Sequence, residues 1–126
     1  QELATIAHFK FPVKMFVLNN NGYGLIKLTQ DMWLGSRRVG VDKNSDLAMP
    51  DIIRISKAYD IETVKINNHN EIDKKIDYVL KSKKPILCEV MINENQKVIP
   101  KLEFGRAIHD LSPRLSKEEL VSNLVL

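Results

Sequence analysis

A chain of 126 residues with 44% hydrophobic and 28% charged residues is typical of one globular domain with a core of its own. The net charge of +3 arises from 19 basic and 16 acidic residues, and the basic pairs are short and scattered, which argues against a nucleic-acid partner. The single cysteine, Cys88, cannot form an internal disulfide and favours a reducing, cytoplasmic compartment. No apolar stretch is long enough for a membrane span, so we expect no membrane partner.

The first half of the chain alternates between helical and strand patterns. An amino-terminal helix is predicted to stop at Pro12, and residues 13–18 are predicted as a strand. Residues 25–33 have a helical pattern. The glycines and polar residues of 34–49 predict a long loop, which in a compact domain is either functional or mobile.

The second half repeats this alternation. Pro50 suits the first position of a helix that ends near residue 60, and residues 61–66 are predicted as a strand. Asn70 is predicted to cap the next helix. The apolar face of that helix comprises Ile72, Ile76, Val79 and Leu80. Residues 85–92 form a nearly continuous apolar run, typical of a strand covered on both faces, with Cys88 as a core residue. Strands separated by helices predict an α/β fold with a parallel sheet and right-handed crossovers.

The last part of the chain is irregular. Beyond residue 93 the sequence is polar, until Ser116 and Glu119 form a capping box ahead of a short helix whose apolar face must pack on this domain or a neighbour. We therefore predict a main domain over residues 1–93 and an irregular tail over 94–126. Because the chain begins without methionine, we interpret it as an amino-terminally truncated piece of a longer protein.

A polar turn follows the first predicted strand, in the run Val17-Leu18-Asn19-Asn20-Asn21-Gly22-Tyr23-Gly24. A strand that leads into such a turn and then a helix is typical of a ligand site at the carboxyl edge of a parallel sheet. Asparagine oxygens and an exposed turn carbonyl suit Mg²⁺, and a helix amino terminus suits an anion. We expect Gly22 and Gly24 to supply backbone shapes that a side chain forbids. An ordinary Asn-Gly turn is the alternative interpretation.

Several segments together carry a family resemblance: residues 1–6, 11–14, 18–24, 49–51, 58–59 and 85–90. Over nearly its whole length the chain resembles the C-terminal cofactor-binding domain of acetolactate-synthase-like, thiamine-diphosphate-dependent enzymes. Residues 23–30, 35–40 and 108–115 are similar to the branch encoded with surface-polysaccharide genes. The resemblance implies a three-layer α/β sandwich with a parallel sheet, of which residues 1–93 are the C-terminal part.

The resemblance also implies a site. Thiamine diphosphate is expected to contact six residues, Asn20, Asn21, Gly22, Tyr23, Gly24 and Leu25. The side chain of Asn20 and the carbonyl of Gly22 are expected to bind its Mg²⁺. The family's Gly-Asp-Gly aspartate, its activating glutamate and the residue that bends the cofactor match no position of this chain, so no catalytic residue is assigned. We expect the isolated chain to bind the cofactor weakly or not at all and to turn over nothing.

The implied reaction begins with a 2-keto acid, to which the cofactor ylid adds. Carbon dioxide then leaves, and the carbanion attacks an acceptor or is protonated. Lys27 stands where pyruvate-decarboxylase-like members have a catalytic glutamate, which disfavours that reaction. Thr29 stands where acetolactate synthases have a tryptophan, which leaves the 2-keto acid and the acceptor open.

Lys27 and Gln30 are candidate pocket residues for a substrate carboxylate, with an exposed helix face as the alternative. Because the site needs two kinds of domain, the parent enzyme is expected to be a homodimer or tetramer. The competing hypothesis is a non-catalytic α/β domain that serves as an interaction or structural module.

Overall fold

The computed structural model describes residues 1–124 and divides the chain into two units, Gln1–Gln96 and Lys97–Leu126. The first unit contains four helices and three strands within this described part. In chain order they are α1 (Glu2–Phe9), β1 (Lys14–Asn19), α2 (Gly24–Trp33), α3 (Ile52–Ala58), β2 (Glu62–Ile66), α4 (Ile72–Lys81) and β3 (Ile86–Met91). Each lies close to an element predicted from the sequence.

The three strands form one parallel sheet in the order β1-β3-β2. Ile86 at the start of β3 pairs with Lys14 on one side and with Glu62 on the other. The chain passes from β1 beyond β3 to β2 and then returns to β3. Right-handed crossovers in these opposite directions place α3 and α4 on opposite faces of the sheet. The predicted three-layer α/β sandwich with a parallel sheet is therefore confirmed.

The core lies between the sheet and α4. Its fully buried members are Ile66, Val79, Ile86 and Cys88. Ile72 and Ile76 of α4 pack against this cluster, which confirms most of the predicted helix face and the core position of Cys88. Leu80 is 59% exposed, so its placement on the buried face was wrong. It follows Val79 directly, and consecutive residues on a helix point about 100° apart.

Two predicted helix starts are displaced. The carboxylate of Asp51 accepts the Arg54 N–H at 2.9 Å, so Asp51 caps α3 and Pro50 precedes the cap instead of opening the helix. The prediction that Asn70 caps α4 was also wrong. A short 3₁₀ turn, His69–Glu71, precedes α4, and the cap of that turn is Asn68, whose side chain accepts the Asn70 N–H at 3.1 Å.

The second unit contains a small hairpin and a helix. β4 (Lys101–Leu102) pairs antiparallel with β5 (Leu111–Ser112), and strands of two residues are too short to give a periodic sequence signal. The predicted C-terminal helix is confirmed as α5 (Lys117–Asn123), with the hydroxyl of Ser116 accepting the Glu119 N–H at 3.1 Å. Within residues 1–124, no helix is both long and apolar enough to cross a bilayer.

Candidate functional site

The polar turn connects the carboxyl end of β1 directly to the start of α2. Asn19 Oδ1 accepts the Asn21 N–H at 2.8 Å, and Asn20 Oδ1 accepts the Gly22 N–H at 3.3 Å. Two successive asparagine side chains thus replace backbone acceptors and fold the turn back on itself. Asn21 has a φ of 56°, in the left-handed region that asparagine tolerates better than most residues. The turn is therefore shaped by its own side chains.

The two glycines of the turn are required by close packing. The left-handed residue of the turn is Asn21, whereas neither Gly22 nor Gly24 has a positive φ, so the expected backbone freedom is not their role. A Cβ added at Gly22 would lie 2.4 Å from the carbonyl oxygen of Val41, and one added at Gly24 would lie 2.8 Å from Asn20 Nδ2. Both glycines therefore let a neighbour approach the turn more closely than any side chain permits.

The centre of the predicted loop 34–49 packs on this turn. Val41 is buried, and its carbonyl accepts the Tyr23 N–H at 2.9 Å. The backbone of Asp42 forms an isolated antiparallel β-bridge with Gly22. The Ser45 hydroxyl accepts hydrogen bonds from the N–H groups of Val41 and Asp42 at 3.0 and 2.9 Å. The loop is thus tied to the turn at its midpoint. The sequence signal was the Asp-x-x-Ser capping pattern within the polar cluster, which also closes a short 3₁₀ turn.

Asp42 is the charged centre of this contact, with only 6% of its surface exposed. Its carboxylate lies 3.4 Å from Lys27 Nζ and 3.7 Å from Arg38 Nη1. The hydrogen bond from Ser45, followed by the interaction with Lys27, lowers the pKa of Asp42 below its ordinary value. An ionised Asp42 therefore links α2, the turn and the loop.

The two predicted pocket residues both hold this loop. Lys27 Nζ, besides pairing with Asp42, lies 3.5 Å from the carbonyl oxygen of Glu94. Gln30 donates from Nε2 to the Val39 carbonyl at 3.2 Å and accepts the Val39 N–H at Oε1 at 3.0 Å. Lys27 and Gln30 lie on one face of α2 because they are three residues apart. In this structure both anchor the segment that follows α2.

An open acidic cleft of about 680 Å³ adjoins the turn. Asn21 and Met49 line it together with three acidic residues, Asp42, Asp46 and Glu94. It is a second place next to the turn that could attract a cation. Among residues 1–124, however, no group of three or more histidines, cysteines, aspartates or glutamates is arranged to hold a metal.

Glu89 is a site residue that sequence reasoning missed. It lies in the middle of β3 and is 4% exposed. Its Oε1 accepts Asn19 Nδ2–H at 2.7 Å, and its Oε2 lies 2.8 Å from Lys65 Nζ. Ionisable residues are seldom buried in a strand without a partner. The signal was one acidic residue inside the apolar run 85–92, although its partners could be found only from the strand register.

The donor set fits a magnesium–diphosphate group. The turn offers neutral oxygens, the side-chain Oδ1 of Asn20 and the carbonyl of Gly22, which are the kind of ligand that Mg²⁺ shares with phosphates. Tyr23, the N-cap of the ten-residue helix α2, makes no side-chain hydrogen bond to the first N–H groups of the helix. Such a helix start favours an anion. Tyr23 and Leu25 are exposed beside it.

Comparison with known proteins identifies similar sequences. The family described as thiamine pyrophosphate enzyme, C-terminal TPP binding domain, matches residues 1–90. Acetolactate synthase 1, chloroplastic, from Zea mays is 30% identical over 115 residues, which are 88% of this chain and 18% of the relative. Acetolactate synthase, mitochondrial, from Schizosaccharomyces pombe is 28% identical over 108 residues (86% and 16%). The acetolactate synthase large subunit of Porphyra purpurea is 25% identical over 107 residues (85% and 18%). The chain thus spans less than a fifth of the length of these relatives.

Proposed function

Because the chain belongs to the family of C-terminal TPP-binding domains of thiamine pyrophosphate enzymes, we propose that it forms one wall of a cofactor site in a larger acetolactate-synthase-like enzyme. The observation that carries the proposal is the position of the turn. It places the oxygens of Asn20 and Gly22 at the carboxyl edge of the sheet, immediately before the α2 amino terminus. Ligands of open parallel sheets bind at this edge.

Each turn residue has a part in the proposed site. Asn20 Oδ1 and the Gly22 carbonyl would hold Mg²⁺, the N–H groups of Gly24 and Leu25 would hold the diphosphate, and Asn21 and Tyr23 would also contact the cofactor. Gly24 leaves the space that keeps the Asn20 amide close to the helix start. Thiamine diphosphate, when bound, supplies the nucleophilic carbon and the electron sink for the chemistry. The chain contributes orientation and charge compensation.

The proposed substrate class is a 2-keto acid, in keeping with the acetolactate synthases among the relatives. In this proposal Lys27 and Gln30 bind the substrate carboxylate. To do so, Lys27 gives up its ion pair with Asp42, and Gln30 gives up its hydrogen bonds with Val39. The acceptor is not specified, because Thr29 stands where acetolactate synthases have a tryptophan. We also propose membership of the surface-polysaccharide branch, a homodimeric or tetrameric parent, and a cytoplasmic location supported by the single buried thiol of the sequence.

A titration followed by NMR tests this proposal. Thiamine diphosphate with excess Mg²⁺ is added to the ¹⁵N-labelled chain, to Asn20→Ala and to a matched control, Asn123→Ala in α5. Because the chain supplies no aspartate ligand from the family motif, we expect weak, saturable binding with a Kd on the order of 1 mM. The shifts should centre on residues 20–25. Asn20→Ala should weaken binding about tenfold or more, whereas Asn123→Ala should bind like wild type.

Two results would contradict the proposal. One is a titration whose amide shifts centre outside residues 20–25, and the other is unchanged affinity in Asn20→Ala. Either result favours the non-catalytic module. The amide spectrum of each variant also shows whether its fold is intact.

A further inference from the structure

We propose that Glu89 is a positioning residue that fixes the side-chain amide orientation of Asn19 and thereby the shape of the Asn20–Gly22 turn. This inference rests on the proposed function of the turn. Glu89 touches neither cofactor nor substrate, and it acts through Asn19.

Glu89 lies in the central strand of the sheet. This strand is hydrogen-bonded on both sides, and Glu89 pairs in register with Val17 of β1 and Lys65 of β2. Its side chain is almost fully buried. Its Oε1 accepts the Asn19 Nδ2–H at 2.7 Å, and its Oε2 forms an ion pair with Lys65 Nζ at 2.8 Å without a hydrogen bond. A carboxylate held in this way provides a fixed support for the residue above it.

The orientation of Asn19 follows from donor and acceptor inventories. A carboxylate only accepts hydrogen bonds, so Asn19 must present its NH₂ group to Glu89. Its Oδ1 is then directed to the other side, where it accepts the Asn21 N–H at 2.8 Å. If the amide were reversed, its NH₂ group would face the Asn21 N–H and that hydrogen bond could not form. Glu89 therefore decides whether Asn19 can hold the turn.

The turn depends on this hydrogen bond. Asn21 lies between Asn20 and Gly22, whose oxygens are the proposed magnesium ligands, and it has the left-handed φ of 56°. A non-glycine residue keeps such a conformation when the surrounding contacts determine it. The bond from Asn21 N–H to Asn19 is such a contact. Loss of that bond should let the two ligand oxygens move independently.

The isosteric substitution Glu89→Gln separates shape from charge. Lys65 has only donors, so it should hold the oxygen of the new amide, which leaves the amide NH₂ group facing Asn19. Asn19 must then reverse to accept that hydrogen bond, and it loses Asn21. We expect cofactor affinity to fall by roughly 10- to 100-fold, as is typical when the support of a metal ligand is removed.

A compensating substitution should restore the turn. In the double variant Asn19→Asp/Glu89→Gln, the new aspartate accepts from both the glutamine and the Asn21 N–H, and the total charge equals that of wild type. Asn19→Asp alone places two carboxylates together and should disturb the turn most. The effects of the two substitutions are therefore expected to be strongly non-additive.

The test uses the ¹⁵N-labelled chain, the two single variants, the double variant and the control Glu71→Gln. The control also removes a carboxylate paired with a lysine, since Glu71 lies 2.9 Å from Lys75 Nζ. The first readout needs no cofactor. It comprises the chemical shift and temperature coefficient of the Asn21 amide proton. The second readout is the affinity for thiamine diphosphate with Mg²⁺.

We expect Glu89→Gln to displace the Asn21 signal and weaken its hydrogen bond, the double variant to restore both the signal and the affinity, and Glu71→Gln to change neither. An unchanged Asn21 amide in Glu89→Gln would overturn the inference, as would a displaced amide with undiminished affinity. If the single variant fails to fold, a folded double variant with the wild-type Asn21 signal supports the inference, and an unfolded one refutes it. A wild-type chain whose cofactor-induced shifts lie away from residues 20–25 contradicts the proposed function, whereas the Asn21 readout still decides the role of Glu89.

Discussion

The substitution Gly22→Ala tests how the loop is held on the turn. The added Cβ would lie 2.4 Å from the carbonyl oxygen of Val41, whereas Cβ atoms in proteins essentially never lie closer than 3.0 Å to such an atom. The loop must therefore retreat by at least about 0.6 Å. Because the φ of Gly22 lies outside the left-handed region, this steric conflict is the main cost of the substitution.

The retreat has a calculable consequence. The same Val41 oxygen accepts the Tyr23 N–H at 2.9 Å, and a displacement of that size takes the bond to about 3.5 Å, close to the limit of a hydrogen bond. An intact backbone hydrogen bond contributes about 0.5–1.5 kcal/mol to the free energy of unfolding, and weakening it loses part of this. Overpacking of this kind typically costs about 1–3 kcal/mol in total. We therefore expect Gly22→Ala to lower the free energy of unfolding by about 1–3 kcal/mol.

Urea unfolding followed by circular dichroism measures this change. At the slope typical of a small domain, the midpoint should fall by about 1 M with the slope unchanged. Gly24→Ala is the matched control, because its Cβ would meet only the flexible side-chain amide of Asn20, and alanine is the better helix former. If Gly22→Ala were as stable as wild type, or destabilised only as much as Gly24→Ala, the close packing of the Val41 carbonyl against Gly22 would be refuted.

Three further predictions concern the site and the core. Gly24→Ala, though stable, should displace the Asn20 amide and weaken binding of the magnesium–cofactor complex about tenfold in the NMR titration. Asp42 has a folded pKa below its ordinary value of 3.8, so its stabilising contribution is present above that pH and is lost as the pH falls through the folded pKa. Asp42→Asn should therefore flatten the acid side of a stability curve measured from about pH 5 down to pH 2. Burial raises the pKa of the Cys88 thiol, so its labelling by a disulfide reagent at pH 8 should be at least about 100-fold slower in the native chain than in urea, and rapid native labelling would contradict its core position.

The regular elements were predictable because their burial imposes a period. The run 85–92 became β3, since only a strand covered on both faces is apolar at nearly every position. The spacing of Ile72, Ile76 and Val79 predicted one face of a helix, and these residues form the buried face of α4. The strand order was not predictable, because β1 pairs with β3, which is distant in sequence, and no periodicity specifies that partner.

The residues that hold the turn in place could not be predicted for a related reason. Val41 is one of several apolar residues in the loop 34–49, which follow no regular period, so no pattern marks its burial against the turn. Glu89 stands out in an apolar run, but its partners Asn19 and Lys65 come from two other strands and emerge only from the register. The turn itself could be found because all its residues are contiguous. The residues that hold it are assembled by the fold.

Cation binding by the turn is tested most directly with Mn²⁺ in place of Mg²⁺, because both prefer oxygen ligands and Mn²⁺ broadens nearby amide signals. We expect broadening centred on Asn20 and Gly22 when thiamine diphosphate is present, and greatly reduced without it. Broadening centred instead on the acidic cleft around Asp46 and Glu94, or equal with and without the cofactor, would contradict a cofactor-bound metal at the turn.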